Sequence, residues 1–361
     1  MTDLKSFEGS VWIDGRFIRS EFFCDNGKIR VGKRGEAVKA SYIIPPFSEP
    51  HIHGGWGFSF QKGDFDVLEE KLCSEGIFFA VPTLINDDID ELRRIAEIFK
   101  NYKRKNIKSI FPFLRVEGPF ISREKKGSQK ECFILEPDER NIQKFLSIDE
   151  IKIFTFAPEI IGVEALVDKA LSMGKIPSIG HSDAGYEDFL RFYRKGVRHM
   201  THFPNAMSGL YPREIGLLGA GLLKDDLQLE VIADEIHNSF DFLSLVFKIK
   251  GHGFSITSDM IPPAYSDSSD FEGRKILKKE RRITTEDGIL AGGSTSVPEQ
   301  VKLLHKRGVK AEDIVFLACL NAKQYFGFPL PLIEEGKDAT FLLLDEEMGV
   351  EAVYARGERI R

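Results

Sequence analysis

The sequence predicts a mixed α/β protein: a (β/α)8, TIM-like barrel with a small β-sandwich domain formed by both chain termini. Three observations predict it. Eight short apolar segments alternate with amphipathic helical stretches through the middle of the chain, which calls for a parallel sheet buried on both faces. Both ends read instead as short strands joined by turns. Polar residues suited to chemistry also recur just after the apolar segments, where a barrel of this kind gathers its active site.

The N-terminal hairpin segments are Val11-Trp12-Ile13, Asp14-Gly15 and Arg16-Phe17-Ile18, then Asp25-Asn26-Gly27-Lys28-Ile29. Ala339 to Leu344 and Val350 to Tyr354, before Arg356-Gly357, repeat the style at the other end. The expected domains are therefore a small β domain of residues 1–42 and 328–361 and a barrel of residues 43–327. The barrel strands are expected at Tyr42–Ile44, Ile77–Val81, Ile110–Val116, Ile151–Phe156, Ile176–Ile179, Val197–Thr201, Leu229–Ala233 and Phe254–Thr257. Apolar spacings of three and four place helices at Asp87–Lys103, Val163–Met173, Glu187–Lys195 and Phe240–Lys248. The polar, highly charged stretch Ser266–Arg282 reads as an exposed loop.

Composition narrows the function. With 50 Lys+Arg against 56 Asp+Glu, the net charge of −6 argues against a polycationic nucleic-acid binder, and 42% hydrophobic residues argue against a disordered chain. No apolar run of about 18 residues predicts a transmembrane helix. Met1 to Ser10 lack the basic and apolar regions of a secretory signal, and the four cysteines lie far apart without a CxxC pair. Both features point to a reducing cytoplasm.

Reading the residue after each strand brings His51, His53, Glu117, His181, His202, His237 and Asp259 to one mouth of the barrel. In His51-Ile52-His53 the two imidazoles are two residues apart, so in extended chain they face the same way. Imidazole and carboxylate suit a divalent metal ion, zinc or iron(II) foremost, and an open coordination position lowers the pKa of water towards ~7. A hydrolase is the consequence, with Asp259 placed to carry the proton. His199 lies inside a strand, facing away from His202 by alternation, and takes a supporting role; His252 and His305 take none. Asn205 and Arg213, with nearby backbone N–H groups, offer a clamp for a phosphate.

The motifs resemble those of the N-acetylglucosamine-6-phosphate deacetylases of the amidohydrolase superfamily. The resemblance rests on Pro45 to Gly55, Val116-Glu117-Gly118-Pro119-Phe120-Ile121-Ser122, Lys125-Lys126-Gly127, Phe156-Ala157-Pro158-Glu159 and Gly180-His181-Ser182. It continues through Thr201 to Met207, Ile232-Ala233-Asp234 with His237, Thr257-Ser258-Asp259, Leu290 to Ser294 and Gly336 to Ala339. It implies removal of acetate from N-acetylglucosamine 6-phosphate by attack of metal-activated hydroxide on the acetamide. Glu117, His181 and His202 would hold the principal ion, with His51 and His53 making room for a second. His237 would stabilise the oxyanion, Asp259 would be the general acid/base, and Asn205, Ala206 and Arg213 would bind the sugar phosphate. Arg213 would reach the neighbouring subunit's substrate, implying a homodimer. Where family members commonly carry a histidine after Lys125-Lys126-Gly127, this sequence has Gln129, a departure at one substrate contact.

Two rival readings come from the residues. A cyclic-amide hydrolase or deaminase of the same superfamily often uses a carboxylated lysine where Glu117 stands here. A catalytically silent scaffold is expected to lack ligands, and none of Glu117, His181, His202 or Asp259 is missing.

Overall fold

The computed structural model describes residues 5–361. Residues 1–4, part of the N-terminal stretch read above for a signal and for the small β domain, lie outside the described residues. The chain divides into two compact units. One takes in the chain up to Glu49, Glu70–Phe79 and Ser296–Arg361, and the other comprises Pro50–Glu69 and Ala80–Thr295.

The first unit carries a seven-stranded sheet in the order Glu358–Arg359, Val350–Ala355, Phe341–Leu344, Ala37–Ile44, Ser6–Ile13, Arg16–Asp25, Lys28–Val31. Its hairpins are short for a reason visible in the sequence. Asp14-Gly15, Asn26-Gly27 and Arg356-Gly357 each put two consecutive residues at positive φ, which a two-residue turn needs if it is to match the twist of its strands. Ser6–Ile13 runs parallel to Ala37–Ile44 and antiparallel to Arg16–Asp25. Phe7, Phe22, Ile43, Phe341, Leu343 and Tyr354 form the centre of the core on this sheet.

The eight-stranded sheet follows chain order: Phe47–Ile52, Ile77–Ile85, Leu114–Phe120, Ile151–Phe156, Ile176–Ile179, His199–Met200, Gln228–Val231 and Phe254–Ile256. From its second strand to its eighth, neighbours pair in parallel. The first and eighth strands meet just past their ends, where Ile52 and Met260 form a parallel bridge and Asp259 N–H donates to the His51 carbonyl at 3.0 Å. The sheet is thus nearly closed into a barrel.

The helices lie close to where periodicity puts them, at Ile89–Lys105, Val163–Ser172, Tyr186–Lys195 and Phe240–Lys250. Ile89–Lys105 starts where Asp88 accepts the Asp90 N–H at 2.8 Å. Acids fill its first turn and Lys103, Arg104 and Lys105 its last, matching the helix dipole.

Three elements differ from expectation. The third barrel strand, expected at Ile110–Val116, runs Leu114–Phe120 and so carries Glu117 itself. Tyr42–Ile44 is the end of a strand of the terminal sheet, and the first barrel strand is Phe47–Ile52. Pro45-Pro46 separates them, and the barrel strand escapes an apolar-run criterion because it buries Ser48 and Glu49. Ser266–Arg282 is largely strand rather than loop. Asp270–Phe271, Arg274–Lys279 and Arg282–Thr285 form a three-stranded antiparallel sheet. Among its charged residues Ile276 and Ile283 are buried, and they pack with Ile85, Ile261, Phe271 and Ala291 in a small core.

Phe7 is fully buried, its ring 4.8 Å from those of both Phe341 and Tyr354. Phe7→Ala should therefore lower the stability of the terminal sheet by about 3–5 kcal/mol. Urea unfolding monitored by circular dichroism measures this, and an unchanged midpoint would contradict the packing described.

Candidate active site

The barrel strands and the loops that leave them bring six side chains together, all within the second unit. His51, at the end of the first strand, and His53, one residue past it, place their Nε2 atoms 3.2 Å apart. Glu117, on the third strand, lies between two groups. Its Oε1 is 3.0 Å from His181 Nε2 and 2.6 Å from His202 Nε2, and its Oε2 is 3.4 Å from His53 Nε2. Asp259 Oδ1 stands 3.3 Å from Nε2 of both His51 and His53. Backbone geometry aims three of these groups: His181, His202 and Asp259 have φ of 47°, 30° and 50°. This left-handed conformation, rare for residues with a Cβ, turns the chain sharply off the strand and is typical of functional sites.

For two of the rings, hydrogen bonds on the far side settle which nitrogen faces inward. His53 Nδ1 is 3.1 Å from the Thr83 carbonyl and His181 Nδ1 is 2.7 Å from the Lys125 carbonyl. Carbonyls only accept, so Nδ1 carries a proton in both rings and Nε2 is the nitrogen left to face an ion.

Charge follows burial and partners. Burial pushes His51 down to about 4, with Arg115 acting in the same direction. His53 is raised to about 9, since the carboxylates of Asp259 and Glu117 outweigh its burial. Glu117 is likewise buried, but the imidazoles around it, His181 foremost, hold its carboxyl well below the usual range. The imidazoles therefore divide, burial keeping His51 neutral and the carboxylates favouring charge on His53.

Two sets of donor atoms each lie within 4.8 Å: His51, His53, Glu117 and Asp259, and Glu117, His181 and His202. Imidazole nitrogens with their lone pairs turned inward, joined by carboxylate oxygens, fit a divalent transition ion. Glu117 belongs to both sets.

These residues open on a cavity of ≈ 330 Å³, also lined by Gln129, Asn205, Ala206, His237, Phe271 and Leu290. His237 Nδ1 donates to Asp234 Oδ2 at 2.8 Å. Although burial opposes it, that contact raises the His237 pKa. Gln129 is buried, and its Oε1 accepts the Asn86 N–H at 3.0 Å, which turns the amide nitrogen towards a position with no protein partner. Arg213 is not brought in: it is exposed and does not line the cavity.

Sequence reading gave no role to Asp234, Phe271, Arg115 or Glu230. A pair of charges inside otherwise apolar strands, Arg115 and Glu230, was the available signal for the last two. His199, given only a supporting role, lies beside Glu230 at 3.3 Å and Ser178 at 2.8 Å.

Residues 42–360 match the model of the amidohydrolase family. The chain belongs to that family. Among its relatives, the N-acetylglucosamine-6-phosphate deacetylase of Lysinibacillus sphaericus is 28% identical over 335 residues, 89% of this chain and 85% of the relative. The N-acetylgalactosamine-6-phosphate deacetylase of Shewanella sp. is 26% identical over 88% of this chain and 82% of its own. The crystal structure of the N-acetylglucosamine-6-phosphate deacetylase from Thermotoga maritima superposes with a TM-score of 0.89 at 32% identity, covering 98% of this chain and 99% of that one. Within its family this amidohydrolase therefore groups with the N-acetylglucosamine-6-phosphate deacetylases.

If Asp234 raises the His237 pKa, Asp234→Asn should lower it to the ordinary imidazole range or below. Titration of the ring by NMR tests this, and an unchanged pKa would assign the shift to another group.

Proposed function

We propose that this amidohydrolase removes acetate from N-acetyl-D-glucosamine 6-phosphate, giving D-glucosamine 6-phosphate. The observation that carries the reading is the convergence of His181 and His202 on the Glu117 carboxylate inside a cavity of ligand size. Glu117, His181 and His202 would hold the principal divalent ion, zinc or iron(II), and His51 and His53, with Glu117 and Asp259, a second. When bound, such an ion supplies Lewis acidity, which polarises an acyl oxygen and makes water acidic near neutral pH.

The chain's own groups then divide the work. Asp259, whose carboxylate is kept ionised despite its burial, takes a proton from the attacking water. As the water oxygen adds to the acetamide carbon, negative charge grows on the carbonyl oxygen. Asp234 holds His237 Nδ1 and raises the His237 pKa, which favours the form whose Nε2–H can donate to that oxygen. Asp259 returns the proton to the amine nitrogen as the C–N bond breaks, and acetate leaves. Asn205, the Ala206 backbone and the Gln129 amide would hold the sugar phosphate, and Arg213 would grip the phosphate of substrate in a neighbouring subunit of a homodimer. Widely spaced cysteines fit action in the cytoplasm.

Acetate release from N-acetylglucosamine 6-phosphate, its galactosamine epimer and the unphosphorylated sugar, by protein of known metal content, tests the reading. The gluco phosphate should be the best substrate, and no release from either phosphate would refute the proposal. Asp259→Asn should keep the metal of the Glu117, His181 and His202 set and lose about 10²–10⁴-fold in turnover. Near-normal turnover would remove Asp259 from proton transfer. Mixtures of Asp259→Asn with Arg213→Ala should recover activity through sites built from both chains. If subunits exchange and none is recovered, Arg213 does not act across an interface.

A further inference from the structure

Beneath the ligand set, the barrel interior is polar where branched apolar side chains ordinarily fill it. Arg115, two residues before Glu117 on the third strand, is fully buried. Its Nη1 donates to Glu230 Oε1 at 2.5 Å and to the carbonyl of Pro50 at 3.2 Å, and its Nη2 donates to Thr201 Oγ1 at 2.8 Å. Pro50 precedes His51, and Thr201 precedes His202. Glu230, on the seventh strand and also fully buried, turns its second oxygen to His51 Nδ1 at 3.5 Å. At that ring position His53 and His181 hydrogen-bond main-chain carbonyls, whereas His51 faces a carboxylate at ion-pair distance.

We propose that Glu230, paired with Arg115, is a positioning residue that fixes His51 as an Nε2 donor to the ion shared with His53, Glu117 and Asp259. The chemistry is specific to a carboxylate. A carboxylate paired with a guanidinium can only accept, so it demands Nδ1–H on His51 and leaves the Nε2 lone pair facing the other ligands. Such a partner also makes the imidazole a stronger ligand, and its loss typically costs 10–100-fold in metal affinity. An amide at the same place presents either a donor or an acceptor and no longer chooses the tautomer. The inference rests on the proposed metal-binding role of the His51 and His53 group.

Glu230→Gln tests it in the full-length protein. Metal is stripped with a chelator, and zinc is titrated back in competition with a chromogenic chelator. The expected result is a 10–100-fold weaker site at His51 and His53, with the Glu117, His181 and His202 site still filled and the far-ultraviolet spectrum unchanged. Equal zinc affinity in both proteins overturns the proposal. Wild-type protein that takes up a single zinc ion refutes instead the reading of His51 and His53 as a metal site. Should Glu230→Gln not fold, ¹⁵N NMR of metal-free wild-type protein at neutral pH decides: a His51 proton on Nδ1 supports the role of Glu230, and one on Nε2 overturns it.

Discussion

Removing a guanidinium ion from water costs several kcal/mol unless a counter-ion and oxygen acceptors meet its donors. Arg115 meets that condition through Glu230, the Pro50 carbonyl and the Thr201 hydroxyl, which come from or adjoin the seventh, first and sixth barrel strands. The contacts form only if these strands stand in one register with the third. Once they do, His51, Glu117 and His202 emerge at a common height without further adjustment. Thr201 extends the arrangement sideways to Thr155 at 3.0 Å and Ser178 at 2.6 Å, so hydroxyls occupy the space around the ion pair. Breaking such a buried pair from one side is costly because it strands the other charge.

Above this layer the same economy governs function. Glu117 serves two donor groups at once, and the rings of His53 and His181 are turned by main-chain carbonyls outside the site. The strained left-handed residues His181, His202 and Asp259 stand where strands become loops. They are held by the barrel on one side and by their mutual contacts on the other. Rigid strands thus set position and short loops set direction.

Much of this was legible in the sequence because it repeats. The alternation of strand and helix gave the barrel, and the Asp-Gly, Asn-Gly and Arg-Gly pairs gave the terminal hairpins, each requiring positive φ at fixed places. The polar residues after the strands marked the six side chains that converge. What escaped depends on partners remote in sequence. Phe47–Ile52 is a buried strand with few apolar residues, and its Ser48 and Glu49 are accommodated only by the folded interior. Arg115 and Glu230 are 115 residues apart and resemble isolated charges until the barrel joins them. The sheet at Asp270–Thr285 was hidden by its charge, since each of its strands buries a single residue and shows no alternation.

That small sheet has a further meaning for the family's chemistry. Phe271 stands in the cavity wall while packing in a core of its own with Ile276 and Ile283, and the return segment through Leu290 to Gly292 lines the same cavity. One continuous stretch of chain therefore supplies a side of the pocket without furnishing any of the six converging ligands. A change in its length or at Phe271 would act on the space for substrate, while the six converging side chains come from other strands and lie outside the stretch.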